Sequence, residues 1–289
     1  MPQIINTNVM SLNSQRALNM SQKSMATSLE RLSSGLRVNR AADDAAGLAI
    51  AERFTSQIRG LGQAVRNAND GISMAQTGEG AMAELTNAFQ RMRELAVQAS
   101  NGIYNTNDRT SIDLEYQQLK QEVGRIIQAT EFNDKLILAS SDSIDFQVGY
   151  KSGAQNIITV SALDLTDETD PDSQPITSIT EDNPAVANYT GDITTSDSAK
   201  ASLDALAAAI NAVTGLRAEF GAAQNRLEST IRNLENVIEN QSAARSRIMD
   251  ADFAAETANL TRTQILQQAG TAMLAQANQL PGNVLTLLG

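Results

Sequence analysis

Between Leu18 and Leu36 the large apolar side chains fall at Leu18, Met25, Leu29, Leu32 and Leu36, with Gln22 in the one polar slot. Steps of three, four and seven keep these residues on one face of a helix. The stripe breaks between Gly35 and Arg40, and Asp43 or Asp44 can cap a second helix by accepting from first-turn amides. That helix is expected to be interrupted at Gly60, Gly62 and Gly71, then to settle into an a/d series at Met82, Leu85, Phe89, Met92, Ala96 and Ala99. Asn101-Gly102 predicts a left-handed cap at its end. A third helix is predicted after Asp108, with Ile112, Tyr116, Leu119, Val123, Ile126 and Thr130 on its inner seam.

The period changes at Phe132-Asn133-Asp134-Lys135. Ile144, Phe146, Val148 and Tyr150 alternate with polar residues, the two-residue period of a half-buried strand. Lys151-Ser152-Gly153 supplies a turn, and Ile158 with Val160 forms a return strand, so a hairpin is predicted. From about Asp164 to Ser198 the chain is rich in Asp, Thr, Ser and Pro, which reads as an exposed excursion. Helical spacing resumes from Ser198 and continues through Phe220, Leu227, Ile231, Leu234, Ile238 and Ile248, loosened by polar Gln224, Gln241 and Arg245. Glu228 and Arg232 form an i,i+4 pair on the outer side. Beyond Asp252 the register shifts to Leu266, Met273, Ala277 and Leu280, and Pro281-Gly282 is expected to stop the helix.

The five prolines lie at Pro2, Pro171, Pro175, Pro184 and Pro281, leaving both arms free for long helices. The fold class that follows is mainly α: a long antiparallel coiled coil or helical bundle with a small β-hairpin, folded back so that both termini pair. A lone helix pair covers one face of each helix, and copies of the chain would cover the rest.

Composition narrows the chemistry. With no His and no Cys among 289 residues, there is no imidazole triad, HExxH zinc site, thiolate nucleophile or disulfide. Aromatics make up 3% and Trp is absent, so burial relies on Ala, Leu, Ile, Val and Met, side chains suited to helix seams. A net charge of −11 disfavours nucleic acid. No window approaches roughly 18 consecutive apolar residues, which argues against membrane insertion. The amino terminus lacks the basic and continuous apolar regions of a Sec-type signal peptide. No cofactor or metal site is expected, and no catalytic residue. Gly71, Gly78 and Gly80 are not followed by the Gly-Lys-Ser/Thr of a phosphate loop and read as helix irregularity. The acidic run Asp164, Asp167, Glu168, Asp170 and Asp172 lacks the glycine and closing glutamate of a calcium loop and reads as solvated. Asn188-Tyr189-Thr190 matches a glycosylation sequon weakly.

The wording at the two ends carries more. SLNSQRALNMSQKSMATSLERLSSGLRVNRAADDAAGLAIAERF near the start and QILQQAGTAMLAQANQLPGNVLTLL near the end resemble bacterial flagellin, over about Met1–Leu138 and Arg217–Leu288. The resemblance implies a structural subunit of the flagellar filament with no enzymatic activity. Met1–Ala42 with Asp250–Gly289 would form the innermost coiled-coil layer. Asp43–Ala162 with Ser198–Met249 would form the next layer, and Leu163–Asp197 a short outward projection. The implied assembly seam comprises Leu18, Met25, Leu29, Leu32, Leu36, Leu266, Met273 and Leu280. Implied partners are further copies in a helical homopolymer, an export chaperone, and cap and hook-associated proteins. Implied export runs through the flagellum's own channel to the cell exterior. The resemblance also implies recognition by Toll-like receptor 5 at Gln90, Arg91, Arg93, Glu94, Leu95, Gln98 and Glu115, within the run Gln90–Gln98. An inflammasome sensor would read Val284, Leu285, Leu287 and Leu288. Met92 stands where many relatives have Val, and Gly289 ends the chain where many end otherwise.

On the residues alone, Arg91, Arg93 and Glu94 are solvated positions beside the a/d seam. Leu95, one step off that seam, suggests a second contact face for a neighbouring subunit. Three other readings stand beside this one. A hook–filament junction protein has the same terminal pattern. A secreted membrane-active coiled coil is opposed by the polar seam positions and acidic charge. A zinc protease grafted into the central region has neither room nor His ligands.

Overall fold

The computed structural model describes the backbone of residues 7–140, 142–160, 165 and 191–285, and side chains as far as Gln279. Helix α1 (Val9–Ser34) leads to α2 (Ala45–Ser100) and α3 (Thr106–Ala129). Then come the short strands β1 (Glu131–Phe132) and β2 (Lys135–Leu136), and the hairpin of β3 (Ile144–Gln147) and β4 (Ile157–Val160). Helices α4 (Ser196–Met249) and α5 (Phe253–Leu285) complete the order. The mainly helical class with a small antiparallel hairpin and paired terminal helices stands as expected from the sequence.

The helix ends follow local chemistry. Asn8 Oδ1 accepts from the Ser11 amide at 3.0 Å to open α1. Gly35, at φ 72°, closes it with its amide on the Arg31 carbonyl. Both candidate caps of α2 are used. Asp44 Oδ1 accepts from the Gly47 amide at 2.8 Å, while Asp43 Oδ2 accepts from the Asn39 and Arg40 amides at 3.1 and 2.9 Å. Those bonds, the Arg40 amide foremost, hold the Asp43 carboxyl below its ordinary range.

Helix α2 runs 56 residues without a break, so Gly60, Gly62 and Gly71 do not interrupt it. Each costs about 1 kcal/mol against Ala in helix propensity, but neighbouring bonds carry the helix through. At three sites packing leaves little or no room for a Cβ, and the tightest is Gly60, where one would come within 2.8 Å of the Tyr150 Cβ. A Cβ on Gly71 would come within 3.1 Å of Leu227 Cδ1 and 3.2 Å of the Phe146 ring. One on Gly78 would meet Phe220 at 3.2 Å and Ile137 at 3.3 Å. Gly80 faces open space.

The end of α2 differs from expectation. Gly102 is not left-handed; among the described residues the positive-φ glycines are Gly35, Gly153 and Gly191. Side chains satisfy the last carbonyls instead: Arg109 Nε donates to Ala99 O at 2.8 Å, and Ser196 Oγ to Ser100 O at 3.1 Å. Helix α3 begins at Thr106, not after Asp108, because Asn105 and Asp108 form a reciprocal capping box. Helix α4 likewise starts two residues before Ser198, with Asp197 in its first turn.

The described chain divides into two compact units, Met1–Ile58 with Glu239–Gly289, and Arg59–Ile238. The second holds the main core. Met82, Leu85, Phe89, Met92, Ala96 and Ala99 of α2 are fully buried, with Tyr116, Val123 and Ile127 of α3 and Leu206, Ala209, Val213 and Phe220 of α4. Phe132-Asn133-Asp134-Lys135, where only a change of period was legible, is a two-residue hairpin turn with Asn133 and Asp134 at φ 50° and 62°. In the larger hairpin Ile144 pairs with Val160 and Phe146 with Ile158. Val148 and Tyr150 lie beyond the ladder; Val148 and Ile158 pack on Ala68 and Leu227. The acidic run at Asp164, Asp167, Glu168, Asp170 and Asp172 and the Asn188-Tyr189-Thr190 sequon lie outside the described residues.

In the first unit, Ala251 N donates to Gly35 O at 2.9 Å, and Arg37 N to Met249 O at 2.6 Å, joining the end of α1 to the α4–α5 link. Helix α5 continues through Pro281-Gly282 to Leu285 rather than stopping there. Proline cannot donate to the carbonyl four residues back, which is that of Ala277. Asn8 Nδ2 donates to that carbonyl instead, at 2.7 Å. One side chain therefore caps α1 and compensates the proline in α5.

Two outcomes follow from this packing. Gly80→Ala raises stability by about 1 kcal/mol, whereas Gly78→Val lowers it by about 1–3 kcal/mol through overpacking against Phe220 and Ile137; urea melts of the subunit read both. The lowered Asp43 pKa stabilises the Asn39–Asp43 turn above the unfolded carboxylate range, and this is lost as pH falls through the folded value. Protection of the Asn39 and Arg40 amides in exchange experiments therefore declines on acidification, and Asp43→Asn abolishes that dependence.

Candidate functional site

Helices α1 and α5 run antiparallel and are the one described helix pair whose Cα atoms repeatedly approach within 8 Å. The reason lies in what occupies the seam. Ser11 and Ser28 of α1 and Glu256, Thr263 and Ala277 of α5 are buried, and Gly270 lies against Leu18 with 3.4 Å between the Leu18 Cδ1 and a Cβ built on the glycine. Small side chains permit close axes. Polar bonds set the register: Ser11 Oγ to Asn278 Oδ1 at 2.8 Å, Ser21 Oγ to Thr263 O at 3.1 Å, and Arg31 beside Glu256 at 4.0 Å.

Larger apolar residues are turned outward. Leu18, Met25, Leu32 and Leu36 are half-buried, but Leu29 is exposed. Leu266 and Met273 are 53% and 64% exposed, so the register beginning there is not the seam within the chain; Ala277 is on it, at 6%. The intrachain seam of α5 instead repeats every seven residues through Glu256, Thr263, Gly270 and Ala277. Leu266 and Met273 form a parallel stripe with the same repeat, and Leu280 is its next position in sequence. Val9, Met10, Leu12 and Met20 on α1 and Phe253 and Ile265 on α5 are exposed as well. Sequence reasoning missed Ser11, Ser21, Ser28, Thr263 and Gly270 because it weighted large apolar residues. The seven-residue spacing of Thr263, Gly270 and Ala277 on α5, and of Ser21 and Ser28 on α1, was the available signal.

A second surface lies on α2 and α3. Gln90, Arg91, Arg93, Glu94 and Gln98 are exposed on α2, and Glu115 on α3. The structure joins three of them: Arg91 Nη1 donates to Glu94 Oε2 and its Nη2 to Glu115 Oε1, both at 2.8 Å. These bonds, Glu94 first and then Glu115, raise the Arg91 pKa. Leu95 is not on this surface. It is 3% exposed within the core, because α2 packs on both α3 and α4 and needs a stripe wider than a/d alone. The exposed apolar residues nearby are Val97 and, on α3, Leu114.

Val284 and Leu285 lie in α5 with their side chains beyond the described ones, and Leu287 and Leu288 lie outside the described residues. Among the described residues there is no group of three metal-ligating side chains, and no helix is long and apolar enough to cross a membrane.

Comparison with known proteins agrees with this geometry. Residues 5–143 match the family described as bacterial flagellin N-terminal helical region, and residues 203–288 match the bacterial flagellin C-terminal helical region. The chain is 46% identical over 286 residues to a flagellin of Halalkalibacterium halodurans, covering 99% of both. It is 41% identical over 291 residues to the flagellar filament 31.3 kDa core protein of Treponema maltophilum, again covering 99% of both. A flagellar hook-associated protein described from Vibrio parahaemolyticus shares the fold, with TM-score 0.58 over 72% of this chain and all of that one, at 12% identity. Two family regions that together span most of the sequence, and full-length relatives that share it end to end, place this chain in the bacterial flagellin family, whose subunits polymerise into the flagellar filament.

Proposed function

We propose that this chain is a non-catalytic subunit that polymerises through its terminal helices into an extracellular flagellar filament and, by its stiffness, transmits motor torque for swimming. The observation that carries this reading is the outward stripe on α5, Leu266 and Met273, beside a seam already closed by Ser, Thr, Gly and Ala. Each such side chain is worth about 1.5–3 kcal/mol on burial, so copies of the chain gain by covering them. The residues Leu18, Met25, Leu29, Leu32, Leu36, Leu266, Met273 and Leu280 belong to the assembly region. Met1–Ala42 with Asp250–Gly289 forms the inner layer of the polymer, Asp43–Ala162 with Ser198–Met249 the next, and Leu163–Asp197 faces outward. An export chaperone, cap and hook-associated proteins handle the chain on its way to the filament.

The α2–α3 surface suits recognition of the free subunit by Toll-like receptor 5. Arg91, held by Glu94 and Glu115, presents a fixed guanidinium between Gln90 and Gln98, with Arg93 exposed beside it, while Leu95 supports the surface from the core. Val284, Leu285, Leu287 and Leu288 are the corresponding candidates for an inflammasome sensor.

Replacing Leu266 and Met273 together with Asp leaves the circular dichroism of the Arg59–Ile238 unit intact but abolishes sedimentable filaments in seeded assembly; normal filaments from this variant refute the assignment. Reversing Arg91 to Glu lowers receptor signalling by the free subunit by at least about tenfold, a loss of about 1.4 kcal/mol. Adding Glu115→Arg restores part of it if the ion pair organises the surface, and unchanged signalling from Arg91→Glu removes the site.

A further inference from the structure

The chain has nine methionines and no cysteine, so thioethers are its principal oxidisable sulfur. The structure sorts them sharply. Met74, Met82 and Met92 are sealed in the core of the second unit, at 0–1% exposure. Met10, Met20 and Met273, all on the terminal helices, are 56%, 64% and 64% exposed. Met25 and Met249 are half-buried. Met273 occupies the middle of the Leu266, Met273, Leu280 repeat, so a change of polarity there interrupts the stripe at its centre.

We propose that Met10, Met20 and Met273 form an oxidation-sensitive block on assembly: their conversion to sulfoxide in the free subunit prevents polymerisation, while the core methionines and the fold are spared. The chemistry needs only a peroxide. The thioether sulfur attacks one peroxide oxygen, the S–O bond forms as the O–O bond breaks, and the departing hydroxide takes a proton and leaves as water. Sulfur is oxidised by two electrons and the peroxide is reduced. The product replaces a flexible apolar side chain with a strongly polar acceptor, which no longer gains from burial against a neighbouring copy. In the free subunit the three sulfurs meet solvent. In a polymer that covers them the same groups are shielded, so sensitivity belongs to subunits not yet incorporated. This rests on the assembly reading above, and it adds a chemical condition under which assembly fails.

The test uses full-length subunits treated with dilute hydrogen peroxide, site mapping by mass spectrometry, and seeded polymerisation followed by sedimentation. Oxygen is expected first at Met10, Met20 and Met273, with helical content unchanged and polymer yield reduced by about tenfold or more. Treatment with methionine sulfoxide reductases of both epimer specificities restores the yield. The variant M10L/M20L/M273L is compared only with its own untreated yield, whatever that is, and peroxide is expected not to lower it. The proposal is overturned if oxidised subunits polymerise normally, if the triple variant loses assembly as the parent does, or if the core methionines react first. Untreated subunits that fail to polymerise overturn the assembly reading itself and this proposal with it, an outcome distinguishable from the others before any peroxide is added.

Discussion

The close approach of α1 to α5 through small residues is the constraint on which the rest of the first unit depends. Because Ser11, Ser28, Thr263, Gly270 and Ala277 fill the seam, the axes lie near each other and no room remains between them for Leu266, Met273 or Leu29. Those side chains must go elsewhere. A conventional coiled coil would have spent them on internal pairing; here they stay available on the outside. The seam compensates with directional bonds from Asn8, Ser11 and Ser21, which fix its register without consuming apolar area.

The second unit follows the opposite rule. Its interior is built from the largest side chains available, Phe89, Tyr116, Phe220 and three methionines, packed between α2, α3 and α4. Glycines on α2 provide recesses for Phe220, Leu227 and Phe146, which brings α4 and the hairpin down onto the same helix. Such packing transmits strain rather than absorbing it. The Arg91–Glu115 bond ties α2 to α3 from outside the same core.

Much of this was legible in the residues. The a/d series from Met82 to Ala99 is buried throughout, the hairpin keeps the expected alternation at Ile144, Phe146, Ile158 and Val160 but not as far as the exposed Tyr150, and Gly35, Asp43 and Asp44 act where they were placed. The failures have physical causes. Glycines in α2 looked like breaks because propensity is local, whereas their role is set by residues more than a hundred positions away, such as Leu227 and Phe220. Pro281 looked like a stop because the compensating donor, Asn8, lies at the other end of the chain. Leu95 looked like a spare contact because one helix seen alone does not reveal that it has two partners. The α1–α5 seam was hidden by a preference for large apolar residues, although Thr263, Gly270 and Ala277 on α5 repeat just as regularly.

The lack of any native cysteine makes the outward stripe directly measurable. With Leu266→Cys as the sole thiol, maleimide labelling rates are compared between free subunits and assembled polymer. The stripe, open in the subunit and covered by neighbouring copies, requires fast labelling in solution and strong protection after polymerisation. A thiol already protected in the free subunit, or one equally reactive in both states, would contradict it.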